Sequence, residues 1–175
     1  METVRRVESE LKAAGVRVKV DERTEVTPGF KFNDWEMRGV PLRIEIGPKD
    51  IEKGTVALAR RDKPGREGKS FVPQAGLAAT VTDMLTVIQK SLLERATAFR
   101  DSHIFDPKDY AELTDVVQNG WAYSYWCGST ECESKVKEDT KATTRCIPLD
   151  QSVSKGKCIV CGKEAEKKVY FAKAY

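Results

Sequence analysis

The sequence predicts an α/β chain in two parts, a layered α/β domain followed by a small α+β domain organised around cysteines. Three observations predict it. Helical and strand periodicities alternate through the first part of the chain, a long amphipathic helix occupies Gln74 to Arg100, and two close cysteine pairs, Cys127 with Cys132 and Cys158 with Cys161, follow in the last part.

Each element has its own justification along the chain. Thr3 to Ala14 carries Val4, Val7 and Leu11 at helical spacing and stops at Gly15, the residue type expected where a helix ends in the left-handed conformation. Val16, Val18 and Val20 alternate with Arg17 and Lys19, the period of a strand with one buried face. Thr27-Pro28-Gly29 reads as a turn, and Asn33 or Asp34 as the cap of a short helix from Trp35 to Arg38 that Gly39 ends. Val40 to Ile46 is a strand pointing Leu42, Ile44 and Ile46 one way and Arg43 and Glu45 the other, until Gly47-Pro48 stops it. Thr55 to Arg60 and Lys69 to Val72 are further strands, joined by a basic loop expected to project into solvent. The long helix offers Leu77, Val81, Met84, Leu85, Ile88, Leu92 and Ala96 as an apolar stripe to pack on the sheet. His103 closes that helix, where an imidazole can bond to terminal carbonyls, and the boundary is placed there, giving domains of residues 1–103 and 104–175. Asp106-Pro107 opens a new helix that stops at Asn119-Gly120, and Trp121 to Trp126 is a strand running into Cys127.

The 175 residues are 40% hydrophobic and 33% charged, which excludes a disordered or collagen-like chain. No apolar run approaches the ~20 residues that span a bilayer, and Met1 to Lys12 lacks the apolar stretch of a signal peptide, so a cytoplasmic protein is expected. The formal charge is +3, and Arg60 to Lys69 alone, with five basic and two acidic residues, accounts for +3. Such a loop serves equally as a solvated segment or as a sequence-independent phosphate contact. The single histidine, His103, argues against Ser-His and Cys-His nucleophile pairs and against an HExxH metal helix.

Cys127-Gly128-Ser129-Thr130-Glu131-Cys132 and Cys158-Ile159-Val160-Cys161-Gly162 are two pairs whose spacing lets one backbone turn aim two thiolates at one ion. Zn2+ suits such a set, being borderline soft and without a geometric preference of its own. A closed set of thiolates leaves no position for water or substrate, so the metal would be structural. Its residual negative charge can be offset by Lys157 and Lys163. Disulfides and unrelated buried thiols are the alternatives. Cys146 stands alone and reads as a small buried hydrophobe. The last part of the chain has few large apolar side chains, so a metal is expected to organise it.

The run from Thr27 to Asp50, TPGFKFNDWEMRGVPLRIEIGPKD, resembles the anticodon-binding domain of prolyl-tRNA synthetases of the archaeal and eukaryote-like type. Cys127-Gly128 to Cys132, Thr143 to Pro148, Cys158 to Cys161 and the terminal Phe171-Ala172-Lys173-Ala174-Tyr175 resemble the same family's C-terminal zinc-binding domain. The resemblance covers essentially the whole chain. It implies a three-layer anticodon-binding domain with a mixed sheet, then a small α+β zinc-binding domain. The partner it implies is the anticodon loop of tRNA(Pro), with no DNA and no membrane. The family joins proline to tRNA(Pro) at the expense of ATP, with Mg2+, in a class II catalytic domain that would lie before Met1. The chain alone is therefore expected to be inactive in aminoacylation and monomeric, whereas the parent enzyme is expected to be a homodimer. The family's anticodon domain also opens with an apolar strand that has no counterpart here, so the chain is expected to be N-terminally truncated, with a slot between neighbouring strands.

Proline anticodons share guanines at their second and third positions, and the resemblance places their reading on Glu36, Arg43, Lys49 and Asp50. The chemistry fits. A carboxylate accepts from guanine N1–H and N2–H2, while Arg or Lys donates to O6 and N7. Phe32 is the candidate stacking platform, with Phe30 the weaker one, and Trp35 suits the core better. Without the resemblance Arg43 and Glu45 read as solvent-facing strand residues and Asp50 as a turn cap. In the family the terminal carboxylate at Tyr175 folds toward the catalytic domain, a role without its partner here. Two other readings remain open: a stand-alone RNA-binding or regulatory paralogue, and a zinc-ribbon interaction module with no RNA role.

Overall fold

The computed structural model describes residues 1–151 and 155–174. The chain forms two compact units, Met1–Arg95 and the residues from Ala96 onward.

In the first unit, α1 (Glu2–Ala13) buries Val7 and Leu11, and Gly15 follows it at φ +80° as its sequence requires. Three antiparallel strands form the sheet, in the order β1 (Leu42–Glu45), β2 (Thr55–Arg60), β3 (Lys69–Pro73). Val56 and Leu58 of β2 are fully buried and pack with Val7, Leu11, Leu77 and Val81. Val16 and Val18 pack on the same core, yet their segment enters no ladder among the described residues. Alternation gives a segment its face, but a strand also needs a neighbour to accept its hydrogen bonds.

Two helices lie between α1 and β2. The helix α2 runs from Pro28 to Met37, much longer than Trp35 to Arg38, because Thr27 accepts the Phe30 N–H at 3.3 Å and Pro28 takes the first helical position. The Thr-Pro pair that reads as a turn is thus a cap and a helix start. The short α3 (Pro48–Glu52) follows β1 directly. The long α4 (Leu77–Asp101) buries Leu77, Val81 and Ile88 of the expected stripe and leaves Ala96 exposed.

The connection from β2 to β3 is not a free loop. Asp62 is buried and pairs with Arg60 at 2.6 Å, the Arg95 guanidinium donates to the Asp62 carbonyl at 3.4 Å, and Gly65–Gly68 closes a 3-10 turn. A Cβ on Gly68 would lie 1.9 Å from the Lys63 carbonyl oxygen.

In the second unit the strand order is β4 (Ile104–Phe105), β5 (Trp121–Trp126), β9 (Lys167–Lys173), β6 (Ala142–Cys146), with β4 and β5 parallel and the other pairs antiparallel. Between them lie α5 (Tyr110–Val116), α6 (Thr130–Thr140) and a hairpin of β7 (Gly156–Lys157) with β8 (Glu164–Ala165). Asp109, not Asp106, caps α5, its carboxylate 2.8 Å from the Glu112 N–H. His103 sits at the end of α4 with Nδ1 2.7 Å from the Phe99 carbonyl, the structural role expected of it. Leu113, Val117, Ala122, Val136, Val169 and Phe171 form a buried core of this unit, so its apolar residues, though small and scattered in sequence, do assemble one. Cys146 is exposed rather than buried, because the register shift after Thr144 pairs it with Tyr170, on the face opposite to that of the buried Phe171. No helix among the described residues is long and apolar enough to cross a membrane.

The glycines give a test of this packing. Gly68→Ala forces backbone to move and is expected to destabilise by ~1–3 kcal/mol in urea unfolding. Gly29→Ala, inside α2 with open space around the added methyl, is expected to be neutral or to stabilise by up to ~1 kcal/mol.

Candidate nucleic-acid interface and metal centre

The face of the first sheet opposite its core carries a chain of charges. Strand alternation places Arg43 and Glu45 of β1 and Lys69 of β3 on that face, while Leu42 and Ile44 point to the core. Phe32 and Glu36 lie one turn apart on α2, so both meet Arg43. The guanidinium carbon of Arg43 is 3.9 Å from the centre of the Phe32 ring, its Nη1 donates to Glu36 Oε1 at 2.6 Å, and its Nε donates to Glu45 Oε1 at 3.0 Å. Lys69 donates to the other oxygen of Glu45 at 2.8 Å. Burial opposes ionisation of Glu45, but Lys69 and Arg43 hold its carboxyl below the usual carboxylate range. A planar cation is thereby fixed flat against an aromatic ring beside a half-exposed carboxylate. Such a constellation offers donors, acceptors and a stacking face to a planar polar ligand.

Helix α2 is anchored by a second set of charges. Arg23 pairs with Asp21 at 2.7 Å and with Asp34 at 2.8 Å, and the Trp35 indole N–H donates to Asp21 at 2.8 Å. Arg23 and burial pull the Asp21 carboxyl in opposite directions, and Arg23, helped by Trp35, keeps it well below the usual range. Trp35 is therefore a half-buried latch, and Arg38 lies 5.1 Å over its ring. These residues border an open groove of about 370 Å³.

Of the sequence-predicted residues, the structure brings Phe32, Glu36 and Arg43 into contact. Lys49 and Asp50 sit on α3, immediately after β1, and bond to none of those three among the described residues. Asp50 accepts the Gly47 N–H at 2.9 Å, as a turn cap would. Phe30 is exposed, with Arg23 5.9 Å from its ring. Sequence reasoning missed Glu45 and Lys69 as parts of one cluster, since only the register across three strands unites them. That pairing also removes two cations from the basic loop. Arg60 is tied to Asp62 and Lys69 to Glu45, leaving Arg61, Lys63 and Arg66 as its remaining exposed cations, beside the exposed acid Glu67.

In the second unit the sulfurs of Cys127, Cys132, Cys158 and Cys161 all lie within 4.8 Å of one another. Cys127 immediately follows the β5 strand and is itself followed by Gly128 at φ +83°, while Cys161 is followed by Gly162 at φ +73°, so both knuckles turn through conformations that favour glycine. Cys132 lies in the first turn of α6, capped by Ser129, where the helix N-terminus favours a thiolate. The sulfur of Cys127 is 3.7 Å from those of Cys132 and Cys161. A disulfide would bring sulfurs to about 2 Å. A tetrahedral ion bound at about 2.3 Å sets its sulfurs roughly 3.8 Å apart, so the four side chains fit a thiolate-bound metal ion.

The thiols themselves are unequal. Burial opposes ionisation of Cys158, yet the backbone amides around its sulfur bring it down to about 7. Burial and the neighbouring sulfurs of Cys161 and Cys127 push Cys132 up to about 12. Packed thiols without a cation resist collective ionisation, and a metal ion reverses that preference. Tyr175, the remaining residue singled out in the sequence, lies outside the described residues.

Comparison with known proteins agrees with this architecture. The family model described as "Anticodon binding domain" matches residues 1–72, and the one described as "Prolyl-tRNA synthetase, C-terminal" matches residues 110–175. A proline–tRNA ligase of Roseiflexus castenholzii is 56% identical over 175 residues, which is 100% of this chain and 36% of that protein. A chloroplastic/mitochondrial proline–tRNA ligase of Arabidopsis thaliana is 48% identical over 97% of this chain and 32% of its own length. The crystal structure of prolyl-tRNA synthetase from Cryptosporidium parvum, complexed with L-proline and AMP, superposes with a TM-score of 0.91 at 35% identity, over 99% of this chain and 37% of that one. The chain thus spans about a third of the length of the relatives it matches, 36% of the first of them. With both of its parts matched in order, the chain belongs to the prolyl-tRNA synthetase family and comprises that family's anticodon-binding and C-terminal domains.

Proposed function

We propose that this chain reads the anticodon of tRNA(Pro) as the C-terminal part of an ATP-dependent proline–tRNA ligase. The observation that carries the reading is Arg43, set flat on Phe32 and beside Glu36. A guanidinium has five N–H donors, and the bonds to Glu36 and Glu45 leave others for guanine O6 and N7. Glu36 has a second oxygen for the guanine N1–H and N2–H2 edge, and the Phe32 ring supplies a face for an unstacked base. Lys49 and Asp50 offer the same donor and acceptor pairing to the second guanine from the start of α3. Arg61, Lys63 and Arg66 add phosphate attraction without sequence preference.

Residues 1–103 act in this reading as the anticodon-binding domain and residues 104–175 as a zinc-binding domain. Zn2+ held by Cys127, Cys132, Cys158 and Cys161 is structural, since four thiolates fill its tetrahedron. Proline activation with ATP and Mg2+ belongs to a catalytic domain of the parent enzyme, a cytoplasmic homodimer, and the chain by itself is a monomer that binds RNA without aminoacylating it. A zinc-ribbon interaction module without an RNA role would show no dependence on the anticodon.

Two measurements test these assignments. In titrations with anticodon stem-loops, Arg43→Ala is expected to cost ~1–3 kcal/mol of discrimination between guanine and adenine, whereas Lys63→Ala weakens both loops alike. Equal losses on both loops for Arg43→Ala would remove Arg43 from the reading site. For the metal, the purified chain is expected to carry about one zinc per chain and Cys158→Ser to lose it, with a lower unfolding temperature of the second unit. A chain free of metal, with thermal unfolding indifferent to chelator, would contradict the zinc assignment.

A further inference from the structure

The outer face of the first sheet extends across all three strands, beyond Arg43, Glu45 and Lys69. The registers set two transverse rows across it: Arg43, Ala59 and Lys69 form one, and Glu45, Ala57 and Phe71 the next. All six point away from the core that Val56, Leu58 and Val72 enter. The central strand contributes only the methyl groups of Ala57 and Ala59, and Ala57 is itself buried beneath its larger neighbours, so the exposed features of the face are the side chains of the two outer strands. Glu45 links the ends, one oxygen on Arg43 and the other on Lys69, and together with Glu36 it balances the two cations of the cluster. At the far end stands Phe71, 66% exposed, with the Lys69 ammonium 5.9 Å from its ring centre. The neighbouring Val72 supplies the contribution of β3 to the core, so Phe71 is not held there by packing beneath the sheet. The near end has the same composition, Arg43 against Phe32.

We propose that Phe71, flanked by Lys69, is a second stacking platform that receives the single-stranded nucleotide adjoining the two guanines, so that the reading surface spans all three strands. The inference rests on the anticodon reading above and extends it. A base is the occupant the face favours: the platform is continuous through Glu45 with the Arg43 site, the Lys69 ammonium stands beside it, and an exposed ring offers a π-face to any base. Phe71 should therefore contribute affinity without selecting between bases, in contrast to Arg43.

The test is a titration of the metal-loaded chain and its Phe71→Ala, Phe71→Trp and Arg43→Ala variants with the proline anticodon stem-loop. The same titrations are made with the adenine-substituted loop and with loops abasic at each position flanking the guanines. Phe71→Ala is expected to weaken the intact loop about ten- to a hundredfold, to leave the guanine-to-adenine ratio unchanged, and to have no further effect on one of the abasic loops. Phe71→Trp should retain binding. The exposure of Phe71 allows both variants to fold, which circular dichroism verifies. If Phe71→Ala binds every loop within twofold of the parent while Arg43→Ala loses discrimination, the platform is overturned and the anticodon reading stands. If the parent chain shows no guanine preference at all, both fall together. An equal loss on every abasic loop would also overturn the platform, because no single base would then depend on the ring.

Discussion

Arg43 is held from three directions, by the Phe32 ring, by Glu36 and by Glu45, and the geometry of the whole outer face of the first sheet depends on that confinement. The confinement is assembled from separate pieces of sequence. The register of β1 on β2 sets the face on which Arg43 emerges, and the Thr27 cap with Pro28 starts α2 early enough to bring Phe32 and Glu36 over it. The Asp21, Arg23, Asp34 and Trp35 latch then ties α2 to the segment before it. A guanidinium already ordered loses less rotamer freedom when a ligand arrives, so preorganisation here favours affinity as well as specificity.

The cysteine cluster plays the corresponding part in the second unit. Ser129 at the start of α6, the glycines after Cys127 and Cys161, and the β7–β8 hairpin converge on one volume where four sulfurs meet. This unit also has a core centred on Phe171 and Leu113, which Trp126 and Val160 join to the smaller cluster around Cys132, Cys158 and Ala165. The apolar core is buried without the sulfurs, so loss of the ion should be felt first at the knuckles and the hairpin.

Much of this was legible in the sequence where local pattern and tertiary context agree. Strands β2 and β5 fall where alternation and their boundaries place them, and the apolar stripe of α4 buries Leu77, Val81 and Ile88 as its period requires. The paired cysteine spacing identified all four members of the sulfur cluster. Local pattern failed where a residue has two uses. Thr27-Pro28 serves a turn and a helix start equally well, and the alternating valines of 16–20 describe a strand for which no ladder partner is present among the described residues. Elements as short as β7 and β8, of two residues each, carry too few residues to show a period. Glu45, Lys69 and Phe71 could not be united before the register was known, since they come from strands separated by the basic connection.

The central claim is that this chain distinguishes guanine in the anticodon loop through the outer face of its first sheet. The most direct measurement is the affinity of the metal-loaded chain for a proline anticodon stem-loop, beside a loop with adenines at the two guanine positions, across a range of salt concentrations. The account predicts a preference for the guanine loop that persists as salt rises, because base-edge hydrogen bonds rather than phosphate contacts supply it. Equal binding of both loops, lost together with added salt, would contradict it and leave only the exposed basic charges as the RNA contact.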